Sequence, residues 1–254
     1  MKRVLTALAL IPAVLYAVLT APWWAVLILV AAAAALCYRE FAAMAQAFGV
    51  VRQGPFGLAA GLVLLAVPGD GLLIATLLAM TGIALAMNSG DLQEVLPRAG
   101  TLALGLLYIF GGWKCALLLH RVSPYWLLYA LVINWVGDIS AYYVGKNIGI
   151  HKLAREISPG KSWEGAIASV VASMAFGAIF LPRFIPGVDI VHALALSAVV
   201  NPAGQLGDLA ESALKRGAGV KDSGNLLPGH GGMLDRVDST LFAMPVVYLY
   251  LRLS

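Results

Sequence analysis

Residues 207–238 read GDLAESALKRGAGVKDSGNLLPGHGGMLDRVD, the densest run of groups able to do phosphate chemistry in the chain. Asp208 and Glu211 are three apart, Ser212 is four from Asp208, and Lys215 is four from Glu211. On a helix such spacings share one face. Asp235 and Asp238 repeat the three-residue spacing, with Arg236 between them in sequence. Between these acid pairs lie glycines 217, 219, 224, 229, 231 and 232, whose backbone can bring amides close to phosphate oxygens. Lys215, Arg216 and Lys221 add positive charge for the same purpose. Hard carboxylate oxygens suit Mg²⁺, which takes few protein ligands and keeps waters and substrate phosphates. The chemistry indicated is metal-assisted reaction at phosphate. The competing reading is a solvated loop whose acids and bases pair with one another. His230, between Gly229 and Gly231, reads either as a base or a phosphate or cytosine contact, or as a turn cap. No second histidine or cysteine stands at zinc-ligand spacing from it.

A second set, Asn134, Asp138 and Tyr142, falls at successive four-residue steps in an apolar run. An acid at such depth is costly and points to function, against the alternative of an interhelical polar contact. After it comes SPGKSWEG at 158–165, where Ser158 reads as a helix cap followed by proline. Lys161 is a phosphate ligand in this reading, and Glu164 either binds metal or orients a lysine. A capped, charged helix entry is the plain alternative. Glu40, beside Tyr38 and Arg39, reads as structural.

The elements that must carry these groups are membrane helices. The chain has 254 residues, 61% hydrophobic and only 12% charged, too few charges to cover a water-exposed surface of this size. The net charge of +4 fits basic loops beside anionic lipid rather than nucleic acid. Cys37 and Cys115 lie in apolar runs and read as buried thiols. Apolar length predicts an all-α polytopic bundle of about nine transmembrane helices, near 4–20, 23–38, 55–68, 71–88, 100–119, 124–144, 165–181, 188–206 and 239–252. With a cytoplasmic N-terminus, Lys2, Arg3 and most other basic residues fall inside, including those of the polar loops at 145–164 and 207–238. The expected organisation is one membrane-embedded domain over 1–254, with an N-terminal helical portion at 1–120 and a catalytic portion at 121–254. Acids gathered at one face, without internal repeats, argue against an ion-coupled transporter using Asp138 and Asp208.

The string Ser212-Ala213-Leu214-Lys215-Arg216, Lys221-Asp222, Gly224 and Leu227-Pro228-Gly229-His230-Gly231-Gly232-Met233-Leu234-Asp235-Arg236-Val237-Asp238 resembles the signature of the phosphatidate cytidylyltransferases, the CDP-diacylglycerol synthases. Upstream, Asp138 with Ala141-Tyr142, Gly145-Lys146, Ser158-Pro159-Gly160-Lys161, Glu164-Gly165, Gly207-Asp208-Leu209 and Glu211 are similar to the same family. Ser162 stands where threonine is more common, with the hydroxyl kept. The specific resemblance covers 134–238; the CTP-dependent lipid kinases, a rival class, fit the 221–238 string poorly. The resemblance implies a bundle of about nine spans, often dimeric, in a bacterial inner or plasma membrane, with its active face to the cytoplasm. It implies the reaction of CTP with phosphatidate to give CDP-diacylglycerol and pyrophosphate. By the same resemblance Asp208 and Asp235 are ligands of a Mg²⁺ centre, with Glu211 and Asp238 as further ligand candidates and a monovalent cation such as K⁺ nearby. Asp138, Lys221 and Asp238 join the two acids as catalytic candidates. Lys161, Ser212, Lys215, Arg216, His230, Gly231, Gly232 and Arg236 are the substrate-binding candidates.

Overall fold

The computed structural model describes residues 12–50, 55–69, 71–87, 91–226 and 231–254. Residues 12–20 form helix α1. Then come α2 (Trp23–Ala47), α3 (Phe56–Ala66), α4 (Leu72–Ala86), α5 (Val95–Leu104), α6 (Gly112–Val122) and α7 (Pro124–Ile148). A two-stranded antiparallel ribbon, β1 (Lys152–Ala154) and β2 (Ser158–Ser162), precedes α8 (Trp163–Phe184), α9 (Ile190–Gly217) and α10 (Leu234–Leu253). Two compact units divide the chain. The first comprises Met1–Thr6, Pro22–Leu118 and Leu214–Arg236; the second comprises Ala7–Ala21, Leu119–Ala213 and Val237–Ser254.

In the first unit the core is built on rings packed into glycine notches. Tyr38 and Phe110 lie with ring centroids 5.3 Å apart. A Cβ on Gly61 would stand 2.0 Å from the Phe110 ring, and one on Gly57 would stand 1.7 Å from the Tyr38 hydroxyl. Only glycine lets α3 approach this closely. A π-helical stretch, Gly105–Gly111, joins α5 to α6 and buries Leu106, Ile109 and Phe110 together. Leu106, Ile109 and Phe110 stand at i, i+3 and i+4 and so share the buried face. Lys114, buried on α6, donates to the carbonyls of Leu65 (3.1 Å) and Val67 at the end of α3. A cation there complements the negative end of the helix dipole.

In the second unit α7 packs along α8. Ser123 caps α7 by accepting the Tyr125 amide (3.3 Å), with Pro124 at the first turn where no amide is missed. Ser173 Oγ donates to the Ile133 carbonyl (3.1 Å), and Asn201 Nδ2 donates to Ser169 Oγ (3.0 Å). Gln205 Nε2 donates to Asn201 Oδ1 (2.7 Å) and to the Ala166 carbonyl (3.2 Å). Small residues let the backbones approach, and polar side chains bridge the helices where water is absent.

The expectation of about nine transmembrane helices is overturned. Among the described residues five helical segments are long and apolar enough to cross a bilayer: Trp23–Ala47, Leu92–Val122, Pro124–Ile148, Trp163–Phe184 and Ile190–Gly217. The expected spans at 55–68 and 71–88 are helices of 11 and 15 residues. At 1.5 Å per residue they reach only about 16 and 22 Å, short of a hydrocarbon core of about 30 Å. Helix α10 is 20 residues long but carries Asp235, Arg236, Asp238 and Arg252. Of the span expected at 4–20, residues 12–20 are helical, and residues 4–11, like Lys2 and Arg3 before them, lie outside the described residues. Nor is every element helical: Ser158 belongs to β2, and Ser162 caps α8 by accepting the Gly165 amide (3.2 Å). The proline after Ser158 sits in the ribbon instead of a first helical turn, which moves the helix start four residues on.

Candidate functional site

In the first unit the signature segment runs out of the last turn of α9 into a loop. Gly219 takes a left-handed conformation (φ +72°), and the amides of Gly219 and Val220 donate back to Arg216 O (3.0 Å) and Lys215 O (2.9 Å). This six-to-one, five-to-two pair of bonds is a Schellman stop. It leaves Lys215 on the last helical turn and releases the loop that returns to α10. The Lys215 ammonium meets Asp235 Oδ1 at 2.5 Å, with the two side chains 10% and 4% exposed. Asp235 Oδ2 accepts the amides of Ser223 (2.9 Å) and Gly232 (2.8 Å). Burial disfavours the ionised Asp235 carboxyl, but the Lys215 ammonium and the Gly232 and Ser223 amides outweigh it. The carboxyl is therefore held below its ordinary range. Gly231 has φ +78°, and a Cβ there would stand 2.5 Å from Asp235 Oδ2. The turn that folds the loop onto Asp235 therefore requires glycine.

Glu40 of α2 enters the same cluster. Its Oε1 accepts the Met233 amide (2.9 Å), and its Oε2 accepts the Leu234 amide (2.8 Å) and the Ser223 hydroxyl (2.9 Å). Arg216 donates to the Val220 carbonyl (3.1 Å) and is exposed, as are Lys221 and Arg236. The amide of Gly232, expected to face phosphate, is directed at Asp235. His230 lies outside the described residues.

In the second unit Lys161, at the end of β2, meets Asp208 Oδ2 at 2.6 Å, with side chains 26% and 31% exposed. Ser212 Oγ donates to Asp208 Oδ1 at 3.3 Å. Glu164 Oε1 accepts the His151 amide (3.1 Å) and meets its Nδ1 at 2.7 Å. This bond ties the start of α8 to the residue before β1, the strand paired with the one that carries Lys161. Glu211 is fully buried. Asp238 Oδ1 accepts the Ser239 amide at 2.6 Å. Asn134 and Asp138 part company: Asn134 is buried with its amide on the Ala130 carbonyl (2.9 Å), whereas Asp138 and Tyr142 are exposed on α7.

Among the described residues no three His, Cys, Asp or Glu side chains gather as a ready metal cage. The two main acids differ in what they could offer an ion. Asp208 carries one lysine and one long hydroxyl contact and keeps lone pairs on both oxygens, which fits a hydrated Mg²⁺. Asp235 already accepts three donors and retains about one free site, on the oxygen facing Lys215.

Membrane-spanning helices, lysine-neutralised carboxylates and a glycine-turned basic loop define a membrane enzyme of phosphate transfer. A profile described as the cytidylyltransferase family matches residues 1–254. The chain is 41% identical over 185 residues to the phosphatidate cytidylyltransferase of Bacillus subtilis (strain 168), covering 71% of this chain and 67% of that one. It is 42% identical over 123 residues to the enzyme of that name from Haemophilus influenzae, and 42% over 127 residues to that from Staphylococcus haemolyticus (strain JCSC1435). These two matches span 43% and 49% of the relatives' lengths. The chain belongs to the cytidylyltransferase family, as a multi-pass protein of a bacterial inner membrane.

Proposed function

We propose that this chain transfers the cytidylyl group of CTP to phosphatidate, giving CDP-diacylglycerol and pyrophosphate. The observation that carries the proposal is the Lys215–Asp235 cluster, built wholly from the segment that bears the family signature. A phosphate monoester has its second ionisation near pH 6, so phosphatidate needs little general-base help near neutrality. One of its oxygens attacks the α-phosphorus of CTP. The new P–O bond forms as the bond between the α-phosphorus and the bridging oxygen breaks, and pyrophosphate leaves with the electron pair. The protein's task is position and electrostatics.

The chain's own groups divide that task. Lys161 and Lys215 hold Asp208 and Asp235 in place. Arg216, Lys221 and Arg236 are exposed cations for the phosphates of both substrates. Ser212 orients Asp208, and Asp138 supplies a polar group on the exposed face of α7. His230 and Gly231 are further contacts to nucleotide or lipid phosphate. Asp208 and Asp235 would be the holders of Mg²⁺, each with at least one oxygen lone pair left by its own partners, and Glu211 and Asp238 are further candidates. When bound, the ion polarises the α-phosphate and offsets the charge of the leaving group. The active face is proposed to be cytoplasmic, on the weight of basic residues in the loops at 145–164 and 207–238.

The test is purified protein in detergent with phosphatidate and CTP labelled in either the α- or the γ-phosphate. Label from the α-position is expected in lipid, and label from the γ-position in free pyrophosphate. Transfer of the γ-label to lipid would instead make the chain a lipid kinase.

A further inference from the structure

We propose that Glu40 is a positioning residue for the reaction, fixing the signature loop and through it the Asp235 carboxylate. Sequence alone leaves Glu40 far from this chemistry: it lies on α2, 183 residues from Ser223 and 194 from Leu234. The fold brings it to the start of α10, where its two oxygens accept three donors, the amides of Met233 and Leu234 and the hydroxyl of Ser223. Three donors face the group, which suits a carboxylate, an acceptor only.

The first amides of a helix have no partner within it and attract anions. At α10 these amides are taken by protein. Gly232 donates to Asp235, Met233 and Leu234 donate to Glu40, and the Asp235 amide donates to Ser223 Oγ at 3.3 Å. Ser223 is the hinge of the arrangement. Its hydroxyl donates to Glu40, its amide donates to Asp235, and its oxygen accepts from the Asp235 amide. Glu40 therefore acts on Asp235 twice, through the start of α10 and through Ser223. Two glycines of the loop make room for it. A Cβ on Gly232 would stand 2.4 Å from Glu40 Oε2, and one on Gly224 would stand 2.8 Å from Oε1. The amides of residues 232–235 are therefore engaged within the protein and are not offered to substrate phosphate.

The inference rests on the reading that Asp235 serves the transfer. The experiment measures kcat, KM for each substrate and thermal unfolding in detergent for Glu40→Gln, Glu40→Ala, Ser223→Ala, Asp235→Asn and Glu40→Ala/Asp235→Asn. Rates are expressed per folded protein. Removing partners that orient a functional group commonly costs about 10–100-fold in activity. We expect Glu40→Ala to lose kcat in that range with smaller changes in either KM. Glu40→Gln, which keeps the shape and one acceptor oxygen, recovers part of the loss, and Ser223→Ala falls between wild type and Glu40→Ala. The double variant is expected to be no worse than Asp235→Asn alone. Wild-type kcat in folded Glu40→Ala overturns the inference. So does a lowered KM for CTP, which would make Glu40 an anion occupying a nucleotide phosphate site. A loss that multiplies fully with that of Asp235→Asn overturns it as well. Should Glu40→Ala and Glu40→Gln both fail to fold, Ser223→Ala decides: an unchanged kcat sinks the inference. Full activity in Asp235→Asn sinks the reading of Asp235 itself, and is distinguishable because it is read in a variant with Glu40 intact.

Discussion

Asp235 in the first unit and Asp208 in the second are both acids paired with a lysine, yet they are held in opposite ways. Asp235 is 4% exposed and takes an ammonium and two backbone amides. Asp208 is 31% exposed and takes one ammonium at 2.6 Å and one hydroxyl at 3.3 Å. A carboxylate with most of its acceptor sites taken by its own chain is held in a fixed place, with about one site left to offer. A carboxylate with lone pairs still open to solvent can exchange its lysine for another cation. On the proposed function, Asp235 is the more rigidly positioned of the two acids and Asp208 the more open to exchange its partner for an ion.

The largest expected effect is therefore at Asp235. Asp235→Asn puts an amide where Lys215 and two amide donors expect an anion. Breaking one side of a buried charge pair costs about 3–5 kcal/mol. A drop in thermal unfolding of that order in detergent, with near-complete loss of turnover, is expected. Asp208→Asn should lose turnover equally but leave stability within about 1 kcal/mol, as for a pair still reached by solvent. Equal destabilisation of the two variants would erase the distinction.

The pH dependence sharpens it further. Because the Asp235 carboxyl is held below its ordinary range when folded, its contribution to stability is fully present above the ordinary carboxylate pKa and is lost as pH falls through the depressed value. Unfolding followed down from pH 6 should thus show an acid-side loss in wild type that is reduced in Asp235→Asn. The same loss in both would show that Lys215 and the amides do not stabilise the ionised form. The smallest expected effect is at Lys221, exposed on the loop. Lys221→Ala should raise KM for CTP or phosphatidate severalfold and leave unfolding unchanged; unaltered kinetics would return Lys221 to a solvated surface.

Much of this site was legible as spacing on a single element. The four-residue step from Asp208 to Ser212 on α9 becomes a hydrogen bond, whereas Lys161, expected at phosphate, is paired with Asp208. What spacing could not supply were partners distant in sequence. Glu40 is marked in the sequence only by the Tyr38–Glu40 feature that the N-terminal half shares with the family, and its partners appear only where α2 reaches the start of α10. Nor could glycine content alone tell an amide aimed at substrate from one aimed at a neighbouring carboxylate, as at Gly232. The count of spans failed for a related reason. Apolar composition marks α3 and α4 as buried in oil or protein alike, but only helix length decides whether they can cross. Asn134 and Asp138 differ by 40° around α7, enough for one to be buried and the other exposed.

The most direct test is a double-mutant cycle on Asp208→Asn and Asp235→Asn, assayed by transfer of cytidylyl label to lipid across a Mg²⁺ titration. Chelator-treated wild-type protein should be inactive and regain full rate with Mg²⁺. Each single variant should lose nearly all transfer, and the double variant should lose little more, because both acids serve one step. Full rate after chelation, or losses that simply multiply, would contradict that account.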